Sequence, residues 1–376
     1  MLLINRNKWY TDYGKRVHST YLQANMKHVL ITGGCGFIGS NLAASLVKEG
    51  TKVTCFDNLS RRGSELLLNH VLSYGCNFIH GDARNLSDFS KLKDDYDILI
   101  ECSAEPSVLV GSQGSDASYL IENNLGSSIQ CFEFARKRKI PILFLSTSRV
   151  YPYTAINSLK FKEQPTRFEY TGNHSAVTPK GISVSFPLDG RRSLYGATKL
   201  ASELILQEYS TNYKLPSIIN RCGVIAGPWQ LGKIDQGIFG YWLCSHYFKK
   251  NLKYIGFGGQ GKQVRDLLSI GDLCNLISLQ IRNINRYYGD IFNIGGSTVA
   301  NLSLQETTQL CQEITGNRVK IKSESKSRPA DIIWYITDNG NTEKEFNWKP
   351  LDGPRTILSN IFEWIHSNEK CFRSLF

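Results

Sequence analysis

The segment from Arg191 to Tyr209, RRSLYGATKLASELILQEY, predicts a helix that carries a tyrosine and a lysine four residues apart. Ser193 can begin this helix as its N-cap, and alanine, leucine and glutamate fill its interior. Tyr195 and Lys199 therefore project from one face of the helix. Because a nearby ammonium favours a phenolate, the pair could transfer a proton, although plain helix packing would use the same spacing.

A second hydroxyl group is expected close to this pair. The apolar run PILFLST predicts a strand that ends at Thr147, and ligands of α/β proteins bind at the carboxyl edge of such strands. The Thr147 hydroxyl could bond the reacting oxygen of a substrate, and Ser146 and Ser148 are the alternatives for this role. A tyrosine with a pKa near 10 needs about 4 kcal/mol of preferential phenolate stabilisation to titrate near pH 7.

Apolar strands alternate with helices from Lys27 onward, which predicts an α/β fold with a parallel sheet covered on both faces. The predicted strands are HVLIT, KVTCFDN, NFIHGD, DILIECS, PILFLSTS, PSIINRCGVIAGP and DIFNIGG. The polar stretch from Pro152 to Arg192 is too long for an ordinary connection. Helix signals from about Ser297 predict a smaller second lobe, with a ligand in the crevice between the two parts.

A glycine-rich turn follows the first predicted strand. Its three spaced glycines lie in ITGGCGFIGS: Gly33, Gly36 and Gly39. Glycines permit unusual backbone angles and a close approach of phosphate, and the following helix N-terminus offers N–H groups to a pyrophosphate. Asp57 ends the next strand, where an acid accepts a bond from a ribose hydroxyl and disfavours a 2′-phosphate. The sequence therefore predicts that NAD binds at this turn. Two alternatives remain: NADP, because Arg61 and Arg62 lie close by, and a glycine-rich turn that binds no ligand.

The order of these segments resembles the extended short-chain dehydrogenase/reductases, the group of nucleotide-sugar epimerases and dehydratases. The resemblance covers nearly the whole chain from about Met26 and rests on GGCGFIG, FDNLS, HGDARN, FLSTSRVY, SLYGATK and GKQVRD. It implies a Rossmann-type doubly wound parallel sheet with a smaller C-terminal substrate-binding lobe. It also implies that Tyr195 is the base, that Lys199 tunes it and binds the nicotinamide ribose, and that Thr147 assists.

The resemblance further implies contacts to NAD and to a nucleotide-diphosphate sugar. The adenosine would lie against Asn58 and Asp82, whereas the ECSAEP segment departs from the usual family pattern around Ala104. The expected cofactor ligands are Gly33, Gly36, Phe37, Ile38, Gly39, Asp57, Asn58, Asp82, Ala83, Ala104 and Lys199. The expected substrate ligands are Thr147, Gln236, Arg265 and Arg328, of which the two arginines match diphosphate oxygens.

The residues after Thr147 indicate which reaction of this family is expected. Dehydratases of this family carry Asp-Glu there, whereas this chain has Ser148 and Arg149, and no acid suited to decarboxylation lies nearby. The resemblance therefore implies epimerisation, through transient oxidation to a keto-sugar and return of the hydride. The segments KIDQGIFGYWLC, GQGKQVRDLL and FPLDGRRSLYGATK most resemble the CDP-paratose 2-epimerases, also called CDP-tyvelose epimerases. UDP-hexose 4-epimerases are the main alternative, and a non-catalytic NAD(P)- or RNA-binding relative is a further one. The polar stretch before Tyr195 is long enough to cap the sugar.

The predicted organisation has three parts. Residues 1–25 are expected to be a tail, disordered or not native, because a second methionine directly precedes the first strand. Residues 26–220 are expected to form the NAD-binding Rossmann domain, to which 264–296 returns. Residues 221–263 and 297–376 are expected to form the nucleotide-sugar-binding lobe.

The composition indicates a globular protein. Of the 376 residues, 41% are hydrophobic and 20% charged, and no apolar run reaches the roughly 18 residues of a membrane span. The ten cysteines are scattered, so no metal site is expected and a reduced, cytoplasmic setting is predicted. The charge of +11 is not gathered into an aromatic-interleaved platform, so no nucleic-acid partner is expected. The family resemblance implies a homodimer or homotetramer.

Overall fold

A computed structural model of the protein describes residues 27–111, 116–231 and 237–370. The tail predicted at 1–25 lies outside these ranges. The strands are β1 His28–Thr32, β2 Lys52–Asp57, β3 Asn77–His80, β4 Ile98–Glu101, β5 Ile142–Thr147, β6 Phe161–Glu163, β7 Phe168–Tyr170, β8 Val177–Thr178, β9 Gly181–Ile182, β10 Ser217–Cys222, β11 Val224–Ala226, β12 Leu252–Ile255, β13 Val264–Ser269, β14 Tyr288–Ile294, β15 Asn301–Ser303, β16 Ile321–Glu324 and β17 Trp334–Tyr335.

The helices connect and cover these strands. The α-helices are α1 Phe37–Lys48, α2 Ser64–Ser73, α3 Ala117–Ile121, α4 Ser127–Arg138, α5 Tyr153–Asn157, α6 Leu194–Tyr213, α7 Ile238–Tyr247, α8 Ile270–Arg282, α9 Leu304–Thr315, α10 Gly340–Phe346 and α11 Pro354–Ser367. Short 3₁₀ turns lie at Leu86–Lys91, Ser148–Val150, Phe257–Gly259 and Ile284–Arg286, and a π-helical turn at Glu122–Gly126 joins α3 to α4. Across the described ranges, no helix combines the length and the apolarity that a membrane span requires.

Seven strands form one parallel sheet in the order β14–β10–β5–β4–β1–β2–β3. The strand order changes direction between β1 and β4, which is the switch point where doubly wound folds bind ligands. Successive residues of β1 point to opposite faces: Val29 and Ile31 join one apolar cluster and Leu30 the other. The central strands β1, β4 and β5 are mainly apolar because both of their faces are buried. The predicted Rossmann-type α/β fold class is confirmed.

Helices bury the two faces of this sheet. On one face, α1, α2 and α8 contribute Leu42, Leu46, Leu67, Val71, Leu273 and Ile277. On the other face, α4 and α6 contribute Phe132, Ala135 and Leu206 against Phe144 of β5. The helix that carries Tyr195 therefore packs directly on the strand that ends at Thr147.

A second sheet belongs to a smaller lobe and contains β11, β13, β15 and β17. The strand predicted from PSIINRCGVIAGP is two strands, because the chain leaves the large sheet at Gly223 after β10. A Cβ atom on Gly223 would lie 3.0 Å from Asp266 Oδ1 and 3.1 Å from Thr337 Oγ1, so the chain is closely packed at this crossing. The lobe's own core includes Phe239, Trp242, Leu243, Cys311, Ile357, Ile361 and Trp364.

The segment 264–296 was expected to return to the Rossmann domain, but in the structure it is divided between the two sheets. Its first strand, β13, pairs with β11, β15 and β17 in the second sheet. Only the later part returns, since α8 packs on the face covered by α1 and β14 pairs with β10. The other domain boundaries stay predictions.

The polar stretch 152–192 forms α5 and two small antiparallel hairpins, β6–β7 and β8–β9. It packs on the smaller lobe: the rings of Phe161 and Tyr170 lie 6.1 and 5.8 Å from the ring of Trp334. Arg167 pairs with Glu306 at the start of α9. The stretch is therefore anchored to the lobe rather than left as a loose loop.

A buried ion pair joins α6 to the strands beneath it. Arg221 Nη2 donates to Glu203 Oε2 at 2.7 Å, and its Nε lies 3.1 Å from both carboxylate oxygens. Glu203 also accepts a bond from Ser146 Oγ. Arg221 Nη1 donates to the Tyr151 hydroxyl at 3.2 Å, which donates to Asn293 Oδ1 at 2.7 Å. One network thus connects α6 with β5, β10 and β14.

Replacing Arg221 by methionine should lower the free energy of unfolding by about 3–5 kcal/mol, because Glu203 is left as an unpaired buried charge. Urea unfolding followed by circular dichroism measures this change. Arg355→Met is the matched control, since Arg355 forms an exposed pair with Glu313 and should cost less than about 1 kcal/mol. Equal losses in the two variants would contradict a structural role for the buried pair.

Candidate active site

The glycine turn brings the N-terminus of α1 close to the end of β1. Gly33 has φ +65°, a left-handed conformation that favours glycine. A Cβ atom on Gly39 would lie 2.2 Å from the Gly33 carbonyl oxygen, so the helix packs on the turn only because Gly39 has no side chain. Gly36 is the N-cap residue and provides no capping side chain. The first N–H groups of α1 therefore fit a pyrophosphate.

Asp57 lies at the end of β2, beside this turn. Its carboxylate accepts bonds from the backbone N–H of Cys35 at 3.0 Å and of Leu59 at 2.8 Å. Burial raises the pKa of Asp57, and the two N–H groups partly oppose that rise. The acid is thus oriented by the turn itself, as an acceptor for a ribose hydroxyl would be.

Two further polar residues continue the site beyond Asp57. Asn58 Nδ2 donates to Asp82 Oδ2 at 3.1 Å, and Arg84 Nη2 donates to the same oxygen at 2.6 Å. The bond from Arg84 holds the pKa of Asp82 at about 2. Sequence reasoning missed Arg84, although it lies within the HGDARN segment. Arg61 and Arg62 also line this end of the site.

All of the predicted cofactor ligands line one cleft of about 560 Å³ along the carboxyl edge of the large sheet. Its lining includes Gly33, Gly36, Phe37, Ile38, Gly39, Asp57, Asn58, Asp82, Ala83, Ala104, Thr147, Tyr195 and Lys199. A volume of this size is typical of a ligand site. The glycine turn, the oriented acid and the open helix N-terminus fit a dinucleotide.

The tyrosine helix begins next to the end of β5. Ser193 caps α6 and accepts a bond from the Gly196 N–H at 3.1 Å, as its position in the sequence predicts. A Cβ atom on Gly196 would lie 2.1 Å from the Arg149 carbonyl oxygen. The absence of a side chain at Gly196 therefore lets α6 approach the turn that follows Thr147.

This approach brings Tyr195 and Thr147 together in the lining of the cleft. Burial raises the pKa of Tyr195 to about 12, and the Thr147 hydroxyl and the Arg149 guanidinium oppose the rise. Cys222 and Glu105 also face the phenol and raise its pKa further. Ionisation of the Tyr195 phenol therefore depends on positive charge in the cleft.

Lys199 lies one helical turn further along α6 and is buried. Its Nζ lies 4.0 Å from Glu101 Oε2 and 4.1 Å from the centre of the Phe144 ring. Glu101 is fully buried at the end of β4, where burial raises its pKa to about 7 and Lys199 opposes that rise. Ser128 Oγ donates to its other oxygen at 3.3 Å. Sequence reasoning missed Glu101, whose only signal is a charged residue inside an apolar strand.

Asn124 orders the backbone that carries Ala104. It lies in the π-helical turn, and π turns often occur at functional sites. Its side chain accepts a bond from the Glu105 N–H at 2.8 Å and donates to the Glu105 carbonyl at 3.1 Å. The segment around Ala104 therefore lines the cleft in a fixed conformation despite its departure from the usual sequence.

A second cavity of about 390 Å³ adjoins the cleft and is lined by Arg265 and Arg328. Arg265 Nη2 donates to Asp331 Oδ1 at 3.0 Å. Burial lowers the pKa of Arg265 to about 10, which still leaves it charged at neutral pH. The two cavities share Val108 and Arg149 in their linings.

Two expectations about the substrate end of the site have different outcomes. Gln236 lies outside the described residues. The stretch 152–192 was expected to be long enough to cap the sugar, but none of its residues lines either cavity. It packs instead on Trp334 and α9 in the smaller lobe.

The sequence and the fold resemble those of known proteins. Residues 29–295 match the NAD dependent epimerase/dehydratase family. The chain is 29% identical to a CDP-paratose 2-epimerase of Salmonella typhi, over 90% of this chain and 99% of that protein. It is 24% identical to a UDP-glucose 4-epimerase of Cyamopsis tetragonoloba, over 92% of this chain and 96% of that protein.

A solved structure shares the fold. The UDP-glucuronic acid 4-epimerase of Bacillus cereus, in complex with UDP-glucuronic acid and NAD, is 23% identical and superimposes with a TM-score of 0.73. The similarity covers 91% of this chain and 99% of that chain. At 23% identity, this comparison shows a shared fold.

Replacing Gly39 by alanine should weaken dinucleotide binding at least about tenfold, because the added Cβ collides with the Gly33 carbonyl and displaces the N-terminus of α1. Calorimetry with NAD on cofactor-free protein measures the affinity, and a thermal melt checks folding. Gly353→Ala is the matched control, since no atom lies within 4 Å of a Cβ at this N-cap. Wild-type affinity in a folded Gly39→Ala protein would refute the assignment of this turn.

Proposed function

Because the chain belongs to the NAD dependent epimerase/dehydratase family, we propose that it epimerises a nucleotide-diphosphate sugar by reversible oxidation, most closely as CDP-paratose 2-epimerases do. The observation that carries the proposal is one cleft in which Thr147, Tyr195 and Lys199 lie beside the glycine turn. The 29% identity with the Salmonella typhi CDP-paratose 2-epimerase supports the substrate. A UDP-hexose 4-epimerase is the second candidate, supported by the Cyamopsis tetragonoloba relative.

In the proposed mechanism, Tyr195 removes a proton from a sugar hydroxyl and later returns one. NAD⁺, when bound, supplies a reversible hydride acceptor and a positively charged ring. Thr147 bonds the Tyr195 hydroxyl and orients the proton transfer. Because each pKa unit corresponds to about 1.4 kcal/mol, lowering the Tyr195 pKa from about 12 to about 7 requires about 7 kcal/mol. Burial thus makes the cations near Tyr195 necessary to its function.

The second cavity supports the assignment of a diphosphate site. Arg265 and Arg328 both line it, and a guanidinium fork matches phosphate oxygens in pairs. Since this cavity adjoins the cleft, a sugar linked to the diphosphate would extend towards Tyr195. The substrate therefore occupies both cavities.

The residues that follow Thr147 support epimerisation over loss of water. Elimination needs an additional acid and base beside the sugar, and Ser148 and Arg149 occupy the turn after β5. Arg149 remains protonated at any physiological pH and cannot serve as a base. Proton transfer at a single hydroxyl is what Tyr195 can perform.

Assembly into a homodimer or homotetramer stays a prediction, as do the cytoplasmic setting and the absence of a nucleic-acid partner. Exposed apolar side chains on the neighbouring helices α3 and α6 support assembly: Tyr119, Ile121, Leu204 and Tyr213. A second copy would bury this surface.

Incubation with CDP-paratose and, separately, with UDP-glucose tests the proposed function. We expect nuclear magnetic resonance to show inversion at carbon 2 of CDP-paratose. Tyr195→Phe should lower the rate by about 10²–10⁴-fold, because general-base catalysis is lost, while the affinity for NAD stays the same. Conversion of UDP-glucose but not of CDP-paratose would contradict the proposed substrate. Full activity of Tyr195→Phe would contradict the proposed mechanism.

Thr147→Val should move the pH–rate profile to higher pH. The lost hydroxyl bonds the phenolate and lowers the pKa of Tyr195, so without it a larger share of Tyr195 is protonated at a given pH. The rising limb of the profile should shift up by about one pH unit, since a bond to a charged group contributes ~1.5–3 kcal/mol. Thr147→Ser keeps the hydroxyl and should keep the profile. An unchanged limb in Thr147→Val would show that Thr147 does not act on Tyr195.

A further inference from the structure

The mechanism proposed above uses Arg149 only as a cation near Tyr195, although its position also connects the two parts of the site. Its side chain lines both the cleft that contains Tyr195 and the cavity that contains Arg265. Of the described residues, only Val108 shares this property. A sugar attached to a diphosphate has to pass between the two cavities to reach the base. The guanidinium therefore lies along the path of the sugar.

The backbone holds Arg149 firmly in this place. Residues 148–150 form a 3₁₀ turn directly after β5, and the Arg149 N–H donates to Thr147 Oγ1 at 3.2 Å. The Arg149 carbonyl packs against Gly196 at the start of α6. The position of Arg149 is thus fixed by the same two elements that carry Thr147 and Tyr195.

Most N–H donors of the Arg149 guanidinium form no hydrogen bond within the described residues. Its Nη1 donates to the Ala330 carbonyl oxygen at 3.3 Å, and this is its one hydrogen bond to the residues that the structure describes. An arginine side chain carries five N–H donors. The remaining donors can therefore bond oxygen atoms of a ligand in the adjoining cavities.

Within the described residues Arg149 forms no ion pair, whereas Lys199 lies near a buried carboxylate. The charged and titratable groups around Arg149 are Asp331, Tyr195, Tyr335 and Arg265. Asp331 forms its ion pair with Arg265 rather than with Arg149. In contrast, Lys199 lies 4.0 Å from the buried carboxylate of Glu101.

Tyr195 is the group on which this charge acts. The groups that act on its phenol are Thr147, Arg149, Cys222 and Glu105, and Lys199 of the same helix lines the same cleft. Of these, the hydroxyl of Thr147 and the charge of Arg149 favour ionisation and oppose the burial that raises the pKa of Tyr195. Loss of the Arg149 charge would therefore leave a larger share of Tyr195 protonated.

We propose that Arg149 is a specificity-determining residue that donates hydrogen bonds to oxygen atoms of the sugar and, through its charge, favours the phenolate of Tyr195. This inference rests on the proposed function. The nucleotide and its phosphates are bound by other residues, because Arg265 and Arg328 lie in the second cavity. Arg149 thus distinguishes a nucleotide that carries a sugar from one that does not.

The test compares Arg149→Met and Arg149→Lys with the wild type in calorimetry. We expect Arg149→Met to bind CDP and UDP as the wild type does and to lose about tenfold or more of the additional affinity for CDP-paratose or UDP-glucose. Lysine should restore little of this affinity, because it lacks the planar fork. Arg191→Met is the matched control, since Arg191 is exposed and lines neither cavity. A thermal melt of each variant checks folding.

The pH–rate profile provides a second readout that a purely structural role would not change. Its rising limb should move up by about one pH unit in Arg149→Met and stay near the wild-type position in Arg149→Lys, which keeps the charge. A wild-type profile together with wild-type sugar affinity in a folded Arg149→Met protein overturns the inference. Equal losses for free nucleotide and nucleotide sugar overturn it too.

These readouts separate this inference from the proposed function. If the wild type binds the nucleotide sugars without converting them, the proposed function fails, and a selective loss of sugar affinity in Arg149→Met still supports the inference. If the wild type binds neither CDP-paratose nor UDP-glucose better than the free nucleotides, the inference fails as well. If the wild type converts a sugar and Arg149→Met binds it equally well with an unchanged profile, only the inference fails.

Discussion

The placement of the tyrosine helix on the central sheet depends on the buried ion pair between Glu203 and Arg221. Removing either charge would leave the other unpaired in the protein interior, at a cost of several kcal/mol. Glu203 also accepts a bond from Ser146, the residue directly before Thr147. Tyr195 lies about two helical turns before Glu203 on the same helix. The pair therefore fixes the register between the strand that carries one hydroxyl and the helix that carries the other.

The electrostatics of the cleft follow from how its cations are paired. Lys199 Nζ lies 4.0 Å from Glu101 Oε2, and burial raises the pKa of this carboxyl group to about 7. Asp331 acts on Arg149 as well, but its ion pair is with Arg265. Tyr195 lines the same cleft as both cations, and burial raises its pKa to about 12. The Tyr195 phenol therefore stays protonated unless further positive charge enters the cleft.

Local patterns predict much of this structure. Periodicity, spacing and resemblance predict the seven strands, the glycine turn, Asp57 and the set Thr147, Tyr195 and Lys199. Each of these features depends on residues within a short segment of the sequence. Three features could not be found in that way. Glu101 meets its lysine only through the packing of α6 on β4 and β5, β13 joins a different sheet from β14, and the stretch 152–192 is anchored by Trp334. Each depends on contacts between residues distant in sequence, which no local pattern contains.

The crossing at Gly223 has a consequence for the choice of substrate. It joins β10, which lies beside the strand that ends at Thr147, to β11, which lies beside the strand of Arg265. Since Asp266 and Thr337 pack closely around Gly223, the two sheets have little freedom to shift against each other. The distance between Arg265 and Tyr195 is then set by the fold. In the proposed function, the carbon that is inverted depends on how the sugar ring is turned within that distance, so a change of ring orientation alone would change the regiochemistry.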